Sequence, residues 1–337
     1  MTRKERGGGT MLMTETGSIT EGGGSFRHEA LMYSSAEDFL AGTAPFIRDA
    51  VDAGEPIWVI VTTEKIDLLR SALGDRSGAV RFADMADVGH NPAWIIPAWR
   101  DFVDKHADDG RLRGIGEPIW ATRSAAQLVE CERHEALLNL AFAHGAPLWL
   151  LCPYDSRSLS DTVIQEAHRT HPFVAEGGRS QESGAFLDLR TVAGPFARPL
   201  SAPPDHRERL TFRSEGDLRA VRAFISHRAA GAGLDTVRTE GLVLAVNEVI
   251  TNSIRYASGS GELYLWHDAD AVICEVQDDG HIGDPLIGRT RPTADRPGGF
   301  GMWMVNQLCD LVQVRTFPSG SVVRLHVMRQ YPAARRR

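Results

Sequence analysis

The apolar positions of this chain keep one rhythm up to about residue 176, lose it, and resume from 209 with another. Between Glu37 and Ala53 the residues Phe39, Leu40, Phe46, Ile47 and Val51 follow a helical period. "PIWVIVT" (Pro56 to Thr62) is then a β-branched run, and "EKIDLLRSAL" returns to helical spacing. "VRFADM", "GIGEPIW" and "PLWLLCPYD" read as further strands. Pro97 to His106 reads as a helix, and Ala125 to His144 as a long amphipathic one. Apolar strands alternating with helices predict βαβ units, a mostly parallel sheet with helices on both faces.

Glu176 to Glu208 breaks the pattern with Gly, Ser and Pro and reads as a linker, with "AFLDLR" as a short edge strand within it. From Arg209, "LTFRS" is a strand, and Ser214 with Asp217 makes a capping-box start. Leu218, Val221, Phe224 and Ile225 carry a first helix, and "LAVNEVITNSIRYA" (Leu244 to Ala257) lies in a second. "GELYLWHD", "AVICEVQDDG", "LVQVRTF" and "SVVRLHV" alternate as strands, and Met302 to Leu311 is a third helix. Strands broken by a few helices predict an α+β layer, with helices on one face of a mixed sheet. The chain therefore divides into a leader (1–25), a first domain (26–175), a linker (176–208), a second domain (209–330) and a basic tail (331–337).

Composition narrows the function. A length of 337 residues favours two domains. A net charge of −7 excludes a general binder of nucleic acid or membrane surface, because both need a basic face. No apolar run reaches the roughly 18 to 20 residues of a spanning helix. The first 25 residues carry charge and glycine but no signal-peptide core, and read as a disordered leader. A cytoplasmic protein with no direct nucleic-acid or membrane contact is expected. The four cysteines, Cys131, Cys152, Cys274 and Cys309, form no C-x-x-C pair and read as small buried thiols.

The helix around Leu244 to Ala257 raises a chemical question. Leu242, Val246, Val249, Ile250, Ser253 and Ala257 fall on one core stripe. Glu248 and Asn252 lie roughly 40° apart on the other side, at 100° per residue. Leu244 and Ala245 share that side, so it is not simply a solvated face. An interior Asn also costs a few tenths of a kcal/mol against Ala. A carboxylate and an amide on a half-apolar face suit the wall of a pocket. Downstream, "VQDDGHIG" ends a strand in Asp278, Asp279 and Gly280, where a carboxylate can accept a ligand hydrogen bond beside a permissive backbone. "RPGGFGMWMV" places Gly298, Gly299 and Gly301 before a helix, whose free N–H groups attract phosphate. Gly320 and Ser321 precede the last strand.

In that order the pieces resemble the GHKL-type (Bergerat) ATPase domain of histidine kinases, gyrase-type ATPases and bacterial anti-sigma serine kinases. "NEVITNSIRYA" matches its N box, "DDG" its first glycine box, "GGFGMWMV" its second and "GS" its terminal Gly-Thr. The short stretch between Gly283 and Gly298 is similar to the ATP lid of the anti-sigma branch. The resemblance implies an α+β sandwich binding ATP and Mg²⁺. It implies Glu248 as general base, Asn252 as the Mg²⁺ ligand, and Asp278 as acceptor for the adenine amino group. Gly280 would admit the base, Gly298, Gly299 and Gly301 would cradle phosphate, and Ser321 would support Asp278. It further implies transfer to a serine of an anti-anti-sigma (STAS-type) partner and binding of a sigma factor; a homodimer is compatible with it. Ile282 stands where the pattern has its second glycine, which keeps a non-catalytic ATP/ADP-switched binding module as an alternative. Arg289, Arg291 and Arg296 read as solvated lid arginines.

The first domain resembles the MEDS sensory domain through "HEALMY", "GEPIWVIV", "GIGEPIW", "ERHEALLNLAF", "LWLLCPYD" and "EAHRTHP". The resemblance implies an α/β sensor of an unknown small, hydrocarbon-like ligand, tuning the kinase. His134, a His followed by Glu, superficially matches a histidine-kinase phosphoacceptor, but the dimerisation hairpin such a kinase needs is missing. His28, His134, His168 and His171 with Cys152 offer metal-ligand types, although Pro172 breaks the helix that H-x-x-H would need, so polar pocket roles are expected. Trp58, Trp94, Trp99, Trp120 and Trp149 are expected in the first domain's core.

Overall fold

The computed structural model describes residues 26–189, 198–293 and 299–330. The sequence reading of the leader and the basic tail falls outside them. The first domain runs Arg27–Tyr33 (β1), Ala36–Ala53 (α1), Ile57–Val61 (β2), Thr63–Leu73 (α2), Arg81–Asp84 (β3), Met85–Val88 (α3), Ile95–Lys105 (α4), Leu112–Gly116 (β4), Ala125–Ala141 (α5), Leu148–Asp155 (β5), Asp161–Thr170 (α6), Phe173–Glu176 (β6) and Arg179–Glu182 (β7).

These strands form one sheet in the order β3-β2-β4-β5-β1-β6-β7, parallel except for the β6–β7 hairpin. Two apolar cores lie on its faces, one beneath α4 and α5 and one beneath α1 and α2. Gly114 of β4 is there because Trp99 packs on it: a Cβ would sit 2.7 Å from the indole. Trp58 and Trp99 meet edge to face at 5.1 Å within that core. β7 occupies residues that read as linker, and "AFLDLR" forms no strand over its described residues.

The second domain runs Glu208–Phe212 (β8), Leu218–Gly231 (α7), Thr236–Tyr256 (α8), Gly261–His267 (β9), Ala271–Asp278 (β10), Phe300–Leu308 (α9), Leu311–Phe317 (β11) and Gly320–Met328 (β12). Its sheet, in the order β11-β12-β10-β9-β8, is antiparallel throughout rather than mixed. A core containing Val221, Ile225, Val246, Ile250, Cys274 and Leu325 joins the helices to one face of that sheet.

The two domains are packed together. Asn91 donates from Nδ2 to the carbonyls of Asn306 and Cys309, each at 3.1 Å, and Trp94 Nε1 donates to Asn306 O at 2.7 Å. These bonds satisfy carbonyls at the C-terminal end of α9, which a helix leaves without internal partners.

Candidate functional site

α8 presents the first polar pair. The Asp235 side chain closes its N-terminus by accepting from the Arg238 amide, and Leu242, Val246, Val249, Ile250 and Ser253 bury one stripe. Glu248 and Asn252 are half-buried. α9 approaches them end-on. Gly299, its cap, has a left-handed backbone with φ 78°. A Cβ on Gly301 would lie 3.0 Å from Glu248 Oε2 and 3.5 Å from Asn252 Nδ2, so the α9 main chain runs against the carboxylate and the amide.

Asp278 ends β10 between Gly261 of β9 and Ser321 of β12. Ser321 Oγ donates to Asp278 Oδ1 at 2.7 Å, and the Gly280 amide donates to the same oxygen at 2.9 Å. Ser253 Oγ donates to Oδ2 at 2.5 Å. Three donors fix the carboxylate, and a carboxylate has about four acceptor positions, so it can still take one ligand proton. Gly320 has φ 140°, and a Cβ there would fall 2.0 Å from Asp278 O; only glycine lets β12 pass so close.

Asn252, Asp278, Gly280, Ile282, Gly301 and Ser321 share the wall of one cavity of about 340 Å³, with Gly299 also on its lining. Glu248 adjoins it through Gly301. Ile282 and Ile287 pack on the apolar core, and the Ile282 amide donates to Thr316 Oγ1 at 3.3 Å. Gly298 and Arg296 lie outside the described residues.

Of the lid arginines, Arg289 departs from the solvated reading and Arg291 does not. Arg291 is exposed and pairs with Asp101 at 2.8 Å. Arg289 is buried and pairs with Glu130 of α5 at 3.1 Å. Glu130 also meets Arg315 of β11 at 2.8 Å, and Arg133 Nη1 donates to Val314 O at 2.7 Å. Burial lowers Arg289, and lowers Arg133 to about 9, with Arg289 and Arg315 adding to the effect. A second interdomain pair joins His90 to Asp310 at 2.8 Å, and Arg238 also holds Asp310.

This network is absent from the sequence pattern: the spacing from Ala125 to His144 predicts an amphipathic helix, whereas Glu130, Cys131, Arg133, His134, Glu135, Leu137 and Leu138 are all buried. The available signal was the run Glu130 to Glu135, which places charge on every side of the helix. His134, at 1% exposure, offers no open face to a phosphoryl donor. His28, Cys152 and His171 do converge, with Glu135 completing the group, while His168 stands half-buried on α6.

Comparison with known proteins matches residues 27–172 to the MEDS family, the methanogen/methylotroph, DcmR sensory domain. Residues 211–327 match the histidine kinase-like ATPase domain. No curated protein matches the chain. A crystal structure of the RsbU and RsbW domains of a Mycobacterium tuberculosis protein is similar over 39% of this chain and 34% of that one, at 18% identity and a TM-score of 0.29. The chain thus spans about a third of that protein's length.

Proposed function

We propose, for a chain that joins a MEDS sensory domain to a histidine kinase-like ATPase domain, that it is an ATP-dependent protein serine kinase of the anti-sigma type, tuned by its first domain. The ATPase domain itself implies ATP binding. The observation that carries the reading further is the Gly301 main chain set against Glu248 and Asn252, with the Asp278 carboxylate across the same cavity.

The residues fit the nucleotide's chemistry. Asp278 retains acceptor capacity for an adenine amino group, and Ser321 and Ser253 hold it in place. Gly299 and Gly301 expose the α9 N-terminus to phosphate without side-chain obstruction. The Asn252 amide oxygen suits Mg²⁺, a hard cation that would neutralise phosphate charge. In this reading Glu248 is the base that orients the attacking hydroxyl and takes its proton. The acceptor is a serine on a STAS-type anti-anti-sigma partner, and a sigma factor is the protein held in turn. The setting is cytoplasmic; among the described residues no helix is long and apolar enough to cross a membrane.

Tuning has a physical route. Arg289, at the lid, is committed to Glu130 of α5 instead of the cavity. A sensed molecule that shifts α5 would change where Arg289 rests, provided it binds the two states with different affinity. A cavity of about 200 Å³ beside α5, lined by Val129, Glu132, Ala136 and Leu187, is a candidate for a small ligand.

The test is transfer from labelled ATP with Mg²⁺ to candidate STAS-type proteins. Acid-stable label on the partner, lost with Glu248→Gln and Asn252→Ala, is expected. ATP binding without transfer to any partner would replace the kinase by the switch that Ile282 suggests. Acid-labile label on the chain itself would mean a histidine kinase.

A further inference from the structure

We propose that His28, Glu135, Cys152 and His171 form a closed binding site for one zinc-class divalent cation in the sensory domain. All four are buried, and one ligand atom from each lies within 4.8 Å of the others. His28 Nε2 and His171 Nε2 stand 3.1 and 3.4 Å from Glu135 Oε2. Cys152 Sγ lies 3.4 Å from His28 Nε2 and 3.5 Å from Glu135 Oε2. A tetrahedron with zinc bonds of about 2.0 to 2.3 Å has edges of roughly 3.3 to 3.7 Å, so these four separations already approach ligand spacing, and the other two lie within 4.8 Å.

The protons point to the cation. His171 Nδ1 lies 2.8 Å from Ala167 O, and a carbonyl can only accept, so Nδ1 carries the hydrogen. Asn139 Nδ2 donates to Thr170 O at 2.7 Å, which turns its Oδ1 toward His28 Nδ1 at 3.1 Å and places that ring's proton there too. In their neutral forms, which are the metal-binding ones, both rings direct Nε2 lone pairs at the Glu135 carboxylate. His171 Nε2 and Glu135 Oε1 are two of the buried side-chain atoms that lack a hydrogen-bond partner among the described residues. Ring protons held by carbonyl oxygens while the other nitrogens converge is the outer arrangement that orients histidine ligands on metals.

The donor set selects the ion. One sulfur, two imidazoles and one carboxylate suit zinc. Binding displaces the Cys152 thiol proton to solvent, and thiolate, carboxylate and dication together leave the buried site neutral. Four protein ligands leave no open position, so the site is structural or sensory, not hydrolytic. It lies on sequence-distant elements (β1, α5, β5 and the end of α6) and pins α5 one and a half turns from Glu130.

The test uses the full chain, purified from zinc-supplemented cells and dialysed against a mild chelator. A single equivalent of zinc per chain is expected by elemental analysis. Chain unfolded, stripped and refolded with Co²⁺ should show strong tetrahedral d–d absorption and a thiolate-to-cobalt charge-transfer band. Cys152→Ser should lose the charge-transfer band. The triple variant Cys131→Ser, Cys274→Ser, Cys309→Ser retains Cys152 as its one thiol and should keep the band, which decides the matter even if Cys152→Ser does not fold. His168→Ala should also keep it. Zinc-free chain with no cobalt spectrum overturns the proposal, as does a band that survives Cys152→Ser or vanishes in the folded triple variant.

Discussion

Two groups of polar and charged side chains in this molecule answer opposite demands. Those at the cavity of the second domain, Asn252 and Asp278 on its wall and Glu248 beside it, are half-buried and border open space. Those along α5, Glu130, Arg133, His134 and Glu135, are sealed. The open group borders space that a ligand can enter, and even Asp278, held by three donors, keeps acceptor capacity toward it. The sealed group has lost its water: Glu130, Arg133 and Glu135 each face a named partner, and burial lowers His134 to about 3 and so keeps it neutral. Removing a residue from the first should change binding or turnover. Removing one from the second should change folding.

The largest break in that contrast is Glu130→Ala. Glu130 faces Arg289, Arg315 and Arg133, and its loss leaves buried guanidinium groups without their shared anion. Breaking a buried ion pair from one side costs about 3 to 5 kcal/mol. Chemical denaturation should show that loss, whereas Arg291→Ala, which removes an exposed pair with Asp101, should cost less than about 1 kcal/mol. Equal costs for the two would erase the distinction between sealed and open groups.

From the open side, Glu248→Gln keeps shape and removes the proposed base. Transfer should fall on the order of 10²- to 10³-fold, with ATP affinity unchanged within about threefold. A variant that loses affinity and rate together would make Glu248 a binding residue. Asp278→Asn should do the converse. Its carboxylate hydrogen bonds are of the charged kind, so ATP affinity should drop by about 2 kcal/mol in a calorimetric titration, and thermal stability should fall as well, because Ser321, Ser253 and Gly280 lose the same charged acceptor.

Much of the open site was legible in sequence because its parts sit at fixed local spacing. Glu248 and Asn252 are one helical turn apart, and Gly299 and Gly301 abut a helix start. Short-range order of that kind survives in a one-dimensional reading. The sealed group was legible only in residue type. His28 and Cys152 lie 124 positions apart and meet because β1 and β5 pair in parallel, with Ala30 beside Cys152. Arg289 reads as a solvated loop residue because only the docked domains bring Glu130 to it. The antiparallel sheet of the second domain was missed for a related reason: alternation gives a strand's faces and not its neighbour's direction.

The smallest effect sharpens the comparison at a residue between the two groups. His326 of β12 lies 3.1 Å from Gln313 Oε1, and its carbonyl accepts from the Asp310 amide at the domain interface. Burial, and then the Arg324 guanidinium, lowers His326 from 6.5 to about 4. The unfolded chain therefore binds this proton between pH 6.5 and 4, while the folded chain does not. Stability from this group is full above pH 6.5 and is lost as pH falls toward 4, with a slope that approaches about 1.4 kcal/mol per pH unit at most. His326→Asn removes the titration. Melting temperatures taken from pH 7 to pH 5 should fall less steeply for His326→Asn than for the wild type. Parallel curves would mean that His326 titrates as an open group despite its surroundings, and would move the boundary between the two classes to the interface itself.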